Sequence, residues 1–345
     1  MNKWFEHASG TGSNVVSSRV RLTRNWSDYV FPSRLSEESA REMVGCLKEQ
    51  MGTLMAEEEL QYFDFEKISD LDRRAMRERR LINQAMVGRR APSSLVISPK
   101  EDVSIVLNGT DHIRIQVQFA GLCLEKVWEK ANEYDDRINE NISYAYDEKY
   151  GYLTSFPTNV GTGMRASVVI HLPMLSQGKK FNSLVADMSR FGVSVKGLYG
   201  EGSENYGSFY EVSNQKTLGQ TEKELIALVM KAAKQLDVQE NEVRRMAWEN
   251  HSLEQRDEIY KSFGVLCYAR KLSMKEAMTY LSHVMMGICD GWCYFDEPRN
   301  VYELILGIQP ANLQRLSDRP LGKEELSEVR AIYLRKRMPE LLEKD

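Results

Sequence analysis

No stretch of about 18 consecutive apolar residues occurs in the chain, which excludes a membrane-spanning helix. The opening segment MNKWFEHASG is polar and has no apolar core, so no secretory signal is expected. Cysteine is scarce. The five present, Cys46, Cys123, Cys267, Cys289 and Cys293, are odd in number and form no CxxC, which argues against a disulfide scaffold or a structural zinc site. A reducing cytoplasm is the expected location. Cys289 and Cys293, one helical turn apart, read as ordinary buried thiols. Nor is there a surplus of positive charge: 46 Lys+Arg face 50 Asp+Glu, for a net charge of −4. Composition therefore lends nothing to a nucleic-acid partner, and neither nucleic acid nor membrane is expected. Internal repeats and low-complexity linkers are also missing. What is there, 42% hydrophobic and 28% charged residues, suffices to fill a core and solvate a surface. A length of 345 residues suggests two domains at about 100–200 residues each.

The hydrophobic period changes along the chain. From about residue 90 to 215 short alternating runs dominate, best seen in Ile113-Arg114-Ile115-Gln116-Val117-Gln118-Phe119. Val103 to Leu107 precedes it, and Asn108-Gly109-Thr110-Asp111 between them has turn chemistry, so a hairpin is expected. Ala166–Leu172, Val193–Gly197 and Phe209–Ser213 are further strand candidates. The alternation implies a mainly antiparallel sheet with one face covered. Residues 35–60 read as helix opened by Ser36. After about residue 220 the pattern is helical: Thr221-Glu222-Lys223-Glu224 and Ser273-Met274-Lys275-Glu276 are capping boxes, and Gly322 to Glu343 is helix-prone. The expected order is a short helical N-terminal part, an α+β centre and a helical C-terminal part, with residues 1–220 as one domain and 221–345 as the other.

Four segments combine glycine, arginine and acid in ways that core packing does not require. In Ser17-Ser18-Arg19-Val20-Arg21-Leu22-Thr23-Arg24 the alternating Arg19 and Arg21 share one face of an extended segment. They make either a phosphate clamp or a solvated edge strand. Arg114, in Asp111-His112-Ile113-Arg114, lies on the polar side of the best strand and points into a cleft or to water; His112 reads as a hydrogen-bonded structural group. Pro157 to Ser167, with Gly161-Thr162-Gly163 ahead of Arg165, allows backbone amides to converge on an anion, or forms a plain glycine turn. It matches neither GxxxxGK[ST] nor GxGxxG. Lys196-Gly197-Leu198-Tyr199-Gly200-Glu201-Gly202-Ser203-Glu204 is a glycine-rich loop that either closes over a substrate and presents Glu204 or is a mobile surface loop.

Together, in this order, the segments SSRVRLTR, DHIRIQ, PTNVGTGMRASV and GLYGEGSE resemble the ATP:guanidino phosphotransferases, the phosphagen kinase family, and within it the bacterial protein-arginine kinase branch. Gly151-Tyr152-Leu153-Thr154 and the VSNQ run from Val212 to Gly219 extend the likeness, which covers residues 15 to 245 well and the remainder more loosely. The resemblance implies a large antiparallel sheet flanked by helices plus a helical C-terminal domain used in dimerisation. It implies ATP with Mg2+ as the phosphoryl source and no protein metal site. The nucleotide would lie among Ser18, Arg19, Val20, Arg21 and Leu22, Arg80, Arg114, Arg165 with Ala166, Ser167, Val168 and Val169, and Lys196 with Gly197, Leu198, Tyr199, Gly200 and Glu201. Arg114, Arg165 and Glu204 would be catalytic, Glu204 by orienting or deprotonating the acceptor.

The chain departs from that family as a divergent member. Where an acidic pair precedes DHIR, it has Gly109-Thr110, with Asp111 the nearest carboxylate. A reactive cysteine ahead of PTN is Phe156, and a nucleotide-holding histidine is Arg80 within Glu78 to Asn83. Arg330 and Ala331 fit an RDxxRA phosphoarginine-reading motif, whereas its leading pair is Leu326-Ser327. Two expectations follow: a protein-arginine kinase, or a catalytically impaired pseudokinase acting as scaffold or regulator. The implied partners are proteins with arginine side chains or an active paralogue, a small zinc-binding activator, Clp chaperone-protease components, and a second copy in a homodimer. Metabolite kinases of the family carry a larger helical N-terminal domain, so the short stretch before SSR favours a macromolecular acceptor.

Overall fold

The computed structural model describes residues 3–6, 13–200 and 204–344. Its elements, in chain order, are β1 (Val15–Arg24), α1 (Glu37–Gln50), α2 (Gly52–Glu57), β2 (Gln61–Asp64), α3 (Asp70–Glu78), α4 (Gln84–Val87), β3 (Ser94–Ile97), β4 (Val103–Leu107), β5 (Ile113–Ala120), α5 (Leu124–Asn139), β6 (Tyr146–Asp147), β7 (Gly151–Tyr152), β8 (Met164–His171), α6 (Phe181–Arg190), β9 (Val193–Gly197) and β10 (Phe209–Asn214). There follow α7 (Glu222–Tyr268), α8 (Met274–Cys289), β11 (Cys293–Phe295), α9 (Val301–Gly307), α10 (Pro310–Gln314), α11 (Lys323–Arg337) and β12 (Leu341–Glu343). Eight strands form one sheet in the order β2-β3-β4-β5-β1-β8-β10-β9, and every pairing in it is antiparallel. The fold is α+β, as the alternation implied. None of the described helices is long and apolar enough to cross a membrane.

The N-terminal part differs from the helical expectation. Ahead of α1 and α2, Val15–Arg24 forms a strand in the middle of the sheet, hydrogen-bonded to β5 on one side and β8 on the other. This removes the solvated-edge reading of Arg19 and Arg21. The extended segment was expected, but its central place was not, because its polar residues Ser17, Arg19 and Thr23 are buried too.

Strand periodicity sorts the sheet into two unlike faces. Val20 and Leu22 of β1, Ile113, Ile115 and Val117 of β5, Ala166, Val168 and Ile170 of β8, and Val212 of β10 point one way, into a core shared with Met43 and Leu47 of α1 and Val127 and Ala131 of α5. Each Val, Leu, Ile or Met side chain among these contributes roughly 1.5–3 kcal/mol by leaving water. On α7, Leu225, Ile226, Val229, Ala232, Ala233 and Leu236 make the apolar stripe that joins this core. That helix opens on the expected capping box: the Thr221 hydroxyl accepts the Glu224 N–H at 3.3 Å, and the Glu224 carboxylate accepts the Thr221 N–H at 2.7 Å. Its backbone breaks at His251 (φ −142°, ψ 42°), beyond which Ile259 and Leu266 belong to a second core with α8, α9 and α11. Val169 and Phe209, from the other sheet face, join that second core, so the C-terminal helices cover one end of the face that carries the polar residues.

Candidate functional site

The second sheet face is where alternate polar residues collect. The register sets Arg21 of β1 opposite Arg165 of β8 and Gln116 of β5, sets Arg19 opposite Ser167 and Gln118, and sets Thr23 opposite Arg114. Residues directly paired on a ladder point to the same side, so Arg19, Arg21, Arg114 and Arg165 share one surface. Arg19, Arg21 and Arg114 line a cleft of about 430 Å³, whose walls also carry Arg77, Glu78 and Arg80, the loop residues Leu198, Tyr199 and Gly200, and Gln309 from the C-terminal half.

So many cations in one place repel each other. Burial, reinforced by Arg114 and Arg165, pushes the Arg21 guanidinium down to about 10; burial and then Arg19 do the same to Arg114. Both stay charged at neutral pH, and both would gain from an anion in the cleft. One carboxylate already answers part of this field. Glu211, on β10, accepts a hydrogen bond from Arg19 Nη2 at 2.6 Å and another from Arg80 Nη2. Burial acts to raise its pKa, yet Arg19, Arg80, Arg21 and Arg165 together hold it at about 2. Arg80 is placed for this by a left-handed backbone (φ 66°), and Gln116 Nε2 donates to its carbonyl at 2.7 Å. The C-terminal half closes the cleft: the hydroxyls of Tyr199 and Tyr302 are 2.9 Å apart, and the Glu78 carboxylate accepts the Ala311 and Asn312 N–H groups at 2.8 and 2.9 Å.

The residues expected at a nucleotide site divide by parity. Arg19, Arg21, Arg80 and Arg114 meet in the cleft. Arg165 adjoins Arg21, and Ser167 accepts from Arg19 Nε at 3.3 Å. Leu198, Tyr199 and Gly200 form one wall, while Lys196 is exposed beside Glu211 in the ladder, with Gly197 next to it. The intervening residues do not face the cleft. Val20, Leu22, Ala166 and Val168 lie in the sheet–helix core, and Ser18 Oγ donates to Gly121 O at 2.8 Å; Val169 shares the face of Arg165 and Ser167 but packs in the second core and is not among the cleft residues. An unbroken run of contacts along a strand is thus corrected to every second residue, because successive side chains alternate faces. Glu201 lies outside the described residues.

The residues expected on the acceptor side do not meet in the cleft. Glu204 is not among the cleft residues: its carboxylate is exposed and ion-paired with Lys275 Nζ of α8 at 3.1 Å, bordering a neighbouring hollow of about 390 Å³. Asp111 is buried, its Oδ1 accepting from Asn25 Nδ2 at 2.8 Å and from the Ser155 N–H at 2.6 Å. Gly109 is packed; a Cβ there would meet Val106 Cγ1 at 3.1 Å. Phe156 is half-exposed. His112 accepts the Trp26 N–H at 3.0 Å through Nδ1 and contacts Val30 O through Nε2, and burial lowers its pKa, which makes it structural. Arg330 is buried and donates to the carbonyls of Ile308 (3.1 Å) and Leu272 (2.9 Å), so it ties helices together. Burial pushes the Cys289 and Cys293 thiols up, to about 11 and about 12, which suits inert thiols.

Sequence reading missed Glu211, Arg77, Tyr302 and Gln309. Glu211 alone had a signal: it shares the polar parity of Ser213 on a half-buried strand, where a carboxylate needs a partner.

An antiparallel sheet with one face lined by arginines defines a protein of the phosphagen-kinase fold. The crystal structure of lombricine kinase matches it with a TM-score of 0.61 over 69% of this chain and 70% of that one, at 22% identity, a likeness of fold. ATP:guanido phosphotransferase, C-terminal catalytic domain, matches residues 42–243, and the C-terminal domain of protein-arginine kinase McsB matches residues 252–345. The protein-arginine kinase of Bacillus mycoides is 38% identical over 98% of this chain and 96% of its own length. That of Halothermothrix orenii is 36% identical over 98% of each. The chain belongs to the ATP:guanido phosphotransferase family, in its protein-arginine kinase branch.

Proposed function

We propose that the protein binds ATP in the arginine cleft and transfers its terminal phosphoryl group to arginine side chains of proteins, slowly. The observation that carries this is the convergence of Arg19, Arg21 and Arg114 on one cleft with Arg165 beside Arg21. Phosphoryl transfer needs positioning and charge neutralisation more than covalent help, and fixed guanidinium groups supply both. Arg114 and Arg165 are the groups assigned to the transferring phosphoryl oxygens. Among the described residues no group of three or more His, Cys, Asp or Glu side chains is placed to hold a metal ion, and the cleft carboxylates Glu78 and Glu211 are both engaged. The Mg2+ of this reading arrives with the nucleotide phosphates, and no step is assigned to it.

Slowness follows from the acceptor side. A guanidinium is a cation with a pKa above about 12 and must lose a proton as it attacks. A positioned general base contributes roughly 10²–10⁴-fold. Glu204 is the candidate, once it leaves Lys275. A second reading, a pseudokinase that binds ATP or only partners and acts as scaffold or regulator, is favoured by the engagement of both Asp111 and Glu204 elsewhere. The partners assigned on either reading are arginine-bearing proteins or an active paralogue, a zinc-binding activator and Clp components, in the cytoplasm, with the chain as a homodimer.

The test is incubation of pure protein with ATP, Mg2+ and an arginine-rich protein, followed by mass spectrometry at neutral pH, because acid cleaves the P–N bond. Phosphoarginine that disappears in Arg165→Ala supports transfer. Nucleotide binding without product selects the pseudokinase. Absence of both overturns transfer and leaves the pseudokinase only as a binder of partners.

A further inference from the structure

Outside the arginine cleft, a hollow of about 500 Å³ lies where β7 and the loop ahead of β8 meet the start of α7. Tyr146, Tyr150, Tyr152 and Leu218 line it, with the carboxylates of Glu222 and Glu224 at the start of α7. Tyr146, Tyr150 and Leu218 are 59%, 47% and 51% exposed, a concentration of bare apolar surface that solvation alone does not require.

The aromatic cluster already holds one guanidinium, from within. Arg24 stacks its Cζ 3.6 Å from the Tyr152 ring centroid, while Asp135 takes its Nε at 3.1 Å and its Nη2 at 2.6 Å. Tyr146 meets Tyr152 edge to face at 5.3 Å, on the solvent side of the same group. The Lys149 ammonium lies 5.2 Å from the Tyr150 centroid, so a cation reaches that ring as well. The outer surface thus carries the same kinds of group as the inner one: the exposed Tyr146 ring, the Tyr150 ring with Lys149 beside it, and the carboxylates of Glu222 and Glu224. Glu224 is held ionised by the Thr221 N–H and hydroxyl.

We propose that this hollow is a docking site for an arginine side chain of the protein acceptor, distinct from the arginine presented to the cleft. The inference rests on the protein-acceptor reading above. Gly161 and Thr162 in the hollow run directly into β8, whose Arg165 points to the arginine-lined sheet face, so a peptide crossing the rim of the sheet addresses both. A docked arginine here is an anchor and does not react.

The experiment uses the full chain and fluorescence anisotropy with a labelled unstructured peptide bearing two arginines, its single-arginine form and its double-citrulline form. The two-arginine peptide should bind tightest and the citrulline peptide, neutral but of like shape, should lose binding. Tyr146→Ala and Glu222→Gln should each weaken the two-arginine peptide roughly three- to tenfold. Nucleotide titrations on the same variants should match the parent protein, since neither residue borders the cleft. Loss of nucleotide binding in the parent, with the peptide pattern intact, refutes the functional reading and leaves the docking site standing. Unchanged peptide affinity in both variants, or equal affinity for the citrulline peptide, overturns the docking site. So does a Tyr146→Ala variant whose sedimentation changes while its peptide affinity does not, because the face is then a contact between copies.

Discussion

Glu211→Gln is the perturbation that best probes how the cleft is balanced. The carboxylate is paired with Arg19 and Arg80 and held at about 2, against an ordinary glutamate value of 4.5. At roughly 1.4 kcal/mol per tenfold change in proton affinity, that displacement corresponds to about 3 kcal/mol of stability at neutral pH. The sign is that of a depressed carboxylate: the contribution is complete above about pH 4.5 and is lost as pH falls towards 2. Glutamine keeps the shape and removes the charge, leaving two guanidinium groups unanswered beside Arg21. In calorimetry without nucleotide, the variant should melt about 5–10 °C lower than the parent at pH 7. Its melting temperature should also vary less with pH between about 5 and 3. An ATP analogue should then raise the melting temperature of the variant more than that of the parent, because phosphate charge replaces the lost carboxylate. An unchanged melting temperature at pH 7 would refute the reasoning, since it would mean that Glu211 does not offset the arginine field.

Other perturbations bear on different parts of the molecule. Gly109→Glu with Thr110→Glu supplies the missing acids; phosphoarginine formation should rise up to roughly 10²–10⁴-fold from a pseudokinase and only modestly from a working enzyme, as read by mass spectrometry. The same pair should lower the urea midpoint, because Val106 Cγ1 stands 3.1 Å from the new Cβ at position 109. Arg24→Ala strands the buried Asp135 carboxylate and should cost about 3–5 kcal/mol in urea unfolding. Tyr302→Phe removes the hydroxyl bonded to Tyr199 and should cost about 1 kcal/mol, with nucleotide affinity as the second readout.

Much of the sheet was legible because its signal is local. The 103–119 hairpin, β9 and β10 follow from alternation and turn residues, and the caps at Ser36, Thr221 and Ser273 each form with the backbone N–H three residues on. The strand β1 was not legible as central, since its buried arginines look like surface residues until Arg165, Gln116 and Glu211 are placed around them. Motif order identified Arg19, Arg21, Arg114 and Arg165, and the ladder register brings them onto one surface. Glu204 was placed by its motif alone, and a motif carries no information about Lys275, 71 residues further along. Tyr302 and Gln309 belong to a half of the chain whose approach to the cleft depends on how α9 and α10 pack. No periodicity encodes that.

On the proposed reading, the two halves of the reaction are built to different standards. On that reading the donor side is the more firmly placed, since Arg19, Arg21, Arg114 and Arg165 stand on three neighbouring strands, β1, β5 and β8, held in register by the ladder. Their mutual repulsion is offset in part in the free protein by Glu211, which pairs with Arg19 and Arg80. The acceptor side, on the same reading, rests on one exposed glutamate paired with a lysine on another element. An exposed ion pair of this kind contributes about 0–1 kcal/mol, so a substrate can break it readily. Lys275→Ala tests that directly. If Glu204 is the base, releasing it should raise phosphoarginine formation by up to roughly fivefold, while nucleotide affinity stays constant because Lys275 does not border the cleft. If turnover is unchanged in a protein that does form phosphoarginine, the ion pair is not what restrains Glu204, and the missing pair at positions 109 and 110 sets the rate.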